Sequence, residues 1–184
     1  MFDRILRVIK LDQSVFAEIE KDESATAEAL IIVLAASFLS ALGAGIANSG
    51  RFFGAFIGEF VTGVLVGWIV WSLITLWIGT NLFEGKADLG EMLRTIGYAS
   101  APRLLGLFRF IPCIGPLIAL IGAILSLVAA FFAIREALDL DTPKTLATVV
   151  IGWIVVLIIS IIVGVITAGT ALTLGAMWSV LTGR

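Results

Sequence analysis

Charged residues punctuate this chain at wide intervals, and between them run four stretches without one: Ala29–Gly50, Phe60–Phe83, Phe110–Ile134 and Thr145–Gly183. Each reaches the ~20 residues an α-helix needs to cross ~30 Å of hydrocarbon, so at least four membrane spans are predicted. As one straight helix the last run would be about 58 Å long, nearly twice the bilayer core. It is therefore expected to end or bend near residues 166–170, leaving Met177 and Trp178 in an interfacial tail. Ahead of the first run the pattern becomes periodic. Phe2, Ile5, Leu6 and Ile9 share one helical face while Asp3, Arg4, Arg7 and Lys10 lie on others, which predicts a short amphipathic helix in the cytoplasmic interface. Val15, Phe16 and Ile19 continue this surface beyond a break at residues 11–14. Such a helix either positions the first span or offers Phe2, Ile5, Leu6, Ile9 and Phe16 to a partner.

Within the spans, small residues mark where backbones can approach. The first is rich in them (Ala35, Ala36, Ser40, Ala41, Gly43, Ala44, Gly45), and the second carries Gly54xxxGly58 and Gly63xxxGly67. The glycine face of the second span is expected to pack inside the protomer, with a dimer seam as the alternative. Trp68 and Trp71 fall mid-span and read as bundle packing, whereas Trp77 sits near the span's end, where interfacial tryptophans lie.

Composition sharpens the class. The chain has 184 residues, 60% of them hydrophobic and 14% charged, with a mean hydropathy of +1.12, so it has room for one helical membrane bundle and no soluble domain. MFDRILRVIKLDQS has neither a continuous apolar core nor a cleavage site, so the first span is read as an uncleaved anchor. A net charge of −2 without a basic stripe argues against a nucleic-acid partner. With no histidine and a single cysteine, the chain alone cannot build a Ser-His-Asp triad, a histidine–carboxylate metal centre or a disulfide. Cys113, beside Pro112 and flanked by apolar residues, reads as packing. No carboxylate pair lies inside a span. We therefore expect no catalytic, cofactor-binding or metal-binding residues, and no enzyme.

One segment resists assignment. Glu91–Phe110 is long enough to span but holds Arg94, Arg103, Arg109 and the interior Pro102. One arginine at mid-membrane costs about 2.5–3.5 kcal/mol on insertion scales, so hydropathy leaves the segment marginal. The bias of basic residues fits four spans as well as five. Further on, Asp141-Thr142-Pro143 reads as a helix start, with Thr142 or Asp141 as N-cap and proline in the first turn.

The order of elements resembles the YIP family, the Ypt/Rab-interacting proteins, in its small prokaryotic form. The likeness lies in Arg4-Ile5-Leu6-Arg7 followed by Phe16-Ala17-Glu18-Ile19-Glu20, then in Gly97-Tyr98-Ala99-Ser100-Ala101-Pro102, similar to the family's Gly-Tyr-Ser-x-x-Pro. It continues through Phe110-Ile111-Pro112-Cys113-Ile114-Gly115 and Arg135-Glu136-Ala137-Leu138-Asp139-Leu140-Asp141-Thr142, so that Gly97, Tyr98, Pro102 and Pro112 are the motif positions. The resemblance implies an all-α, polytopic helical bundle with five transmembrane helices and a short N-terminal interfacial amphipathic helix. Residues 1–24 would form the cytoplasmic amphipathic segment. Residues 25–184 would form the bundle, with spans at about 26–48, 54–80, 91–109, 111–135 and 144–168 and then the tail. It also implies an integral protein of the cell (inner) membrane, N-terminus cytoplasmic and C-terminus extracytoplasmic. Gly97–Pro116 becomes a kinked third span and a tight hairpin into the fourth.

The implied role is that of a non-enzymatic scaffold or accessory subunit in membrane organisation or trafficking. Its partners would be membrane lipids and other integral membrane proteins, or further copies of itself. The long cytoplasmic region of eukaryotic members is missing, which argues against binding of a small GTPase. In the five-span arrangement Glu59 and Arg103 both reach the outer half of the bilayer, so an intramembrane Glu59–Arg103 pair is expected, with Arg109 as the competing partner. The alternative function is a small transporter or channel using Glu59 and Arg103.

Overall fold

The computed structural model describes residues 1–159, 161 and 162, and these are all-helical. Two short helices, α1 (Phe2–Ile9) and α2 (Ser14–Lys21), precede the long α3 (Ala25–Ala47). A tight turn leads into one continuous helical rod, α4 (Ser49–Phe83), whose middle, Thr62–Val70, is wound as a π-helix. Then come α5 (Leu89–Ala99), a 3-10 segment (Ala101–Phe110), α6 (Ile114–Ala137) and α7 (Thr142–Ile159). Four of these helices, α3, α4, α6 and α7, are long and apolar enough to cross a membrane. The bend expected at residues 166–170, the tail with Met177 and Trp178, and the end of the last predicted span lie outside the described residues.

Local chemistry sets the boundaries. At the start of α5 the Asp88 carboxylate accepts from the Glu91 backbone N–H while the Glu91 carboxylate accepts from the Asp88 N–H, both at 2.8 Å, which closes a capping box. Asp141 caps α7, its carboxylate accepting from the Lys144 N–H at 3.0 Å, so Asp141 is the N-cap of the two residues considered. α4 ends where Glu84 turns left-handed (φ 60°) and Gly85 donates to the Gly79 carbonyl.

The α5–3-10 segment is the centre of the bundle, packed between α3 and α6. From Met92 to Pro102 every residue but the half-buried Leu93 is buried. Pro102 has no N–H to continue the α ladder, and the chain tightens to i→i−3 bonds, with Arg103 donating to Ser100 at 2.9 Å. Ten residues is long for a 3-10 run, and packing holds it. Gly43 and Gly106 let the backbones of α3 and the 3-10 segment meet, since a Cβ on Gly43 would collide with the carbonyls of Gly106 and Leu107. Carbonyls around the proline find hydroxyl donors on the flanking helices: Ser40 Oγ donates to Arg103 O at 2.9 Å and Ser126 Oγ to Ala99 O at 2.7 Å.

At the opposite end of the 3-10 segment a turn through Pro112 and Cys113 delivers the chain into α6. Cys113 has φ 64° and is exposed, so packing is not its role there, contrary to the sequence expectation. Its apolar neighbours surround the turn without covering it. α7 packs on α4 where Gly152 faces Trp71 and Thr75. Trp68 and Trp71 are buried, as their mid-span positions predict, and Trp77 is exposed.

Candidate functional site

Two clusters of charged side chains stand out, one at each end of the central segment. The first closes the bundle over α1 and α2. Val8, Val15, Phe16 and Ile19 are wholly buried and continuous with the core around Met92, Tyr98 and Ile134. Above them Arg4 reaches Glu18 and Asp22, each at 2.8 Å, and Glu28 at 3.5 Å, while Arg7 reaches Asp12 and Glu18, each at 2.8 Å. The Tyr98 hydroxyl donates to Glu28, and the terminal amine of Met1 lies 3.6 Å from the same carboxylate. Hydrogen bonds from Arg4 and Arg7 hold the Glu18 carboxyl below its usual range, and hydrogen bonds to Glu18 and Asp22 push Arg4 up. Beneath this layer buried Arg94 donates from Nε to the Glu20 carbonyl at 2.7 Å, tying α5 to α2.

This arrangement divides the proposed docking face. Phe16 belongs to the core, and Ile5 packs partly against it, so neither is available to a partner. The correction has a simple cause: Phe16 leads α2, which folds back onto the bundle instead of extending the surface of α1. Phe2, Leu6 and Ile9 remain exposed, Phe2 at 73%.

The second cluster lies near the far end of the 3-10 segment, at Arg109. Glu59 on α4 pairs with Arg109 at 3.5 Å, and among the described residues Arg103 takes part in no ion pair within 4.0 Å and its guanidinium in no hydrogen bond. The expected Glu59–Arg103 pair is thus replaced by its competitor. The reason is register: α4 and the 3-10 segment run antiparallel, so Arg109 comes level with Glu59, and Arg103 falls beside Gly63 and Gly67. A Cβ on Gly67 would stand 2.9 Å from Arg103 Nη1, and one on Gly63 3.2 Å from Nη2 and 2.7 Å from Ser37 Oγ. Ser37 Oγ is itself buried and has no hydrogen-bond partner among the described residues. Gly63 and Gly67 both fall within the π-helical stretch, a winding that recurs at functional positions in helices.

Arg103 also borders a cavity of about 590 Å³ between α4, the α5–3-10 segment, α6 and α7. Its wall is apolar apart from Arg103, Ser100 and Ser126, and both serine hydroxyls are bonded to backbone carbonyls, those of Gly97 and Ala99. The sequence places a costly arginine here, expected to pair with Glu59, and gives no sign of the cavity. Nothing in the spacing of Trp71, Leu120, Leu127 and Trp153 shows that they share one wall.

The motif positions have structural work. A Cβ on Gly97 would lie 2.7 Å from that of Ala29, at the crossing of α5 and α3. Trp68 Nε1 on α4 would lie 3.2 Å from the same Cβ and donates to Leu93 O at 2.8 Å, tying α4 to α5. Tyr98 anchors the N-terminal cluster, Pro102 starts the 3-10 segment and Pro112 shapes the exposed turn.

The family model described as the Yip1 domain matches residues 7–179. No curated protein and no solved structure matches the chain.

Proposed function

Since this chain belongs to the Yip1 domain family, we propose that it is a non-enzymatic membrane scaffold that crosses the bilayer five times and works through contacts at its cytoplasmic end. The observation that carries the reading is the state of α1. Its inner face is locked to the bundle through Val8, Arg4 and Arg7, and its outer face presents Phe2, Leu6 and Ile9 in a fixed row. A rigid apolar row on a helix at the membrane surface has little ordering entropy left to lose when another membrane protein packs on it.

Five crossings are supported by length. Eleven α-helical residues of α5 rise about 16 Å and ten 3-10 residues about 20 Å, together enough for ~30 Å of hydrocarbon. The cost of two of the three arginines is offset, Arg94 by the Glu20 carbonyl and Arg109 by Glu59, while Arg103 borders the cavity. The N-terminus would then be cytoplasmic and the chain's other end extracytoplasmic, in the inner membrane of a prokaryotic cell.

The test places a photo-cross-linking residue at Phe2 in the full chain and compares it with the same protein carrying Leu6→Asp and Ile9→Asp. Discrete adducts with other integral membrane proteins, lost on the double substitution while the melting temperature is kept, support the scaffold. Adducts with lipid alone reduce α1 to an interfacial anchor and overturn it. Reconstituted vesicles should show no protein-dependent ion or solute flux, and a saturable flux abolished by Glu59→Gln would favour a transporter instead.

A further inference from the structure

The cavity beside Arg103 has the form of a ligand site. Its volume of about 590 Å³ lies within the 300–1,000 Å³ of small-molecule pockets, and its wall is apolar with one convergent charge. Leu120, Ile124 and Leu127 on α6, with Trp153 and Leu157 on α7, line it and are also exposed on the outer surface. The cavity therefore opens sideways between α6 and α7, toward what would be the hydrocarbon of the bilayer. At its inner end stand Trp71, Ile96 and Ala99.

The charge needs an account. Glu59, whose charge also reaches Arg103, makes its direct pair with Arg109, so among the described residues Arg103 borders the cavity with no carboxylate in contact. A guanidinium in an apolar surround is costly unless it meets a counter-charge. Its planar fork suits a carboxylate or phosphate oxygen pair. The glycines at 63 and 67 also keep side chains of α4 from crowding it. A neutral hydrocarbon would fill the wall and leave this charge unmet, and a free anion would meet the charge and leave the wall empty. Only a molecule with both parts satisfies the site.

We propose that this cavity binds one anionic amphiphile from the bilayer, its acyl chain against Leu120, Ile124, Leu127 and Leu157 and its phosphate or carboxylate on Arg103. This site is independent of the α1 surface and would survive failure of the scaffold reading.

Native mass spectrometry of the full chain in a neutral detergent tests it with four probes: dioleoyl phosphatidylglycerol, dioleoyl phosphatidylcholine, oleate and inorganic phosphate. We expect one retained phosphatidylglycerol per protomer, at least tenfold weaker retention of phosphatidylcholine with the same chains, and no effect of inorganic phosphate. Oleate binding as well as phosphatidylglycerol would assign the recognition to one chain and any anionic head. Arg103→Gln should remove the preference for the anionic lipid, and Arg103→Lys should restore part of it. Ala130→Trp, which fills the cavity with Arg103 intact, should abolish retention and keeps the test decisive if Arg103→Gln fails to fold. Equal retention of both phospholipids, or no change with Ala130→Trp, overturns the proposal. So does a cross-link from Ile124→benzoylphenylalanine that joins a second copy, or another part of this chain, in place of lipid.

Discussion

Arg103 lies across Gly67, with its Nη1 2.9 Å from where a Cβ would stand. In sequence the spacing Gly63xxxGly67 signals helices in close contact, but here it makes room for a cation. The other pair, Gly54 and Gly58, faces open space, with no heavy atom of the described residues within 4 Å of either hypothetical Cβ. Identical motifs nine residues apart on one helix thus have different meanings, set by what the neighbouring element brings alongside.

The close backbone contact occurs instead at Gly43, and substitution can rank these sites. A methyl at Gly43 meets backbone carbonyls of Gly106 and Leu107, which cannot swing away. Gly43→Ala is expected to lower stability by about 1–3 kcal/mol through overpacking. Gly54→Ala and Gly58→Ala meet nothing and should be neutral or gain up to ~1 kcal/mol from reduced backbone entropy in the unfolded chain. Thermal unfolding in one detergent checks the order. A Gly43→Ala protein as stable as the Gly54→Ala protein would mean that α3 and the 3-10 segment do not touch there.

Most of the bundle was legible because long uncharged runs leave one physical choice, and α3, α4, α6 and α7 stand where those runs lie. The central segment was harder. Its hydropathy is diluted by Arg94, Arg103 and Arg109, which meet a backbone carbonyl 74 residues away, a cavity, and a glutamate 50 residues away. Such pairings depend on tertiary register, which local pattern does not encode. Phe16 misled for a related reason: an apolar residue after an amphipathic helix reads as more of the same face, unless the chain reverses, as it does at Leu11 (φ 58°).

Acid should loosen the N-terminal pair. Three carboxyls there are held below their ordinary range: Glu18 by Arg4 and then Arg7, Asp12 by Ser14 and then Arg7, and Asp22 by Ser24 and then Arg4. A depressed folded value means that the contribution is complete above the unfolded pKa of roughly 4 and is lost as pH falls through the folded value. Cleavage by an acid-active protease between α1 and α2 is therefore expected to rise below about pH 4 while the long helices stay intact. In Arg4→Gln the segment should already be labile at neutral pH, probed with a neutral protease. Susceptibility that is flat with pH in the parent protein would remove the ion cluster as the fastening of α1.

Glu59 and Arg109 stand 3.5 Å apart, close enough to couple directly. A double-mutant cycle of Glu59→Gln with Arg109→Gln is expected to give about 0.5–3 kcal/mol. The cycle of Glu59→Gln with Arg103→Gln should give a smaller value, since those two make no direct bridge. The reverse order would restore Glu59–Arg103 as the working pair and withdraw the free charge from the cavity.

Labelling of Cys113 tests the number of crossings. It is the chain's single cysteine, exposed in the turn between the 3-10 segment and α6. If residues 89–110 cross the bilayer, Cys113 lies on the face opposite the α4–α5 loop at Lys86. If they do not, both lie on the same face. In sealed vesicles of known orientation, a membrane-impermeant maleimide should label Cys113 from the extracytoplasmic side only. A cysteine placed at Lys86 in a Cys113→Ser background should react from the cytoplasmic side only. The pair of measurements controls for vesicle orientation, because the two sites must give opposite answers. Labelling of both from the cytoplasmic side would reduce the bundle to four crossings and make the α5–3-10 segment a re-entrant element. It would also place Arg103 and its cavity on a path open to the cytoplasm.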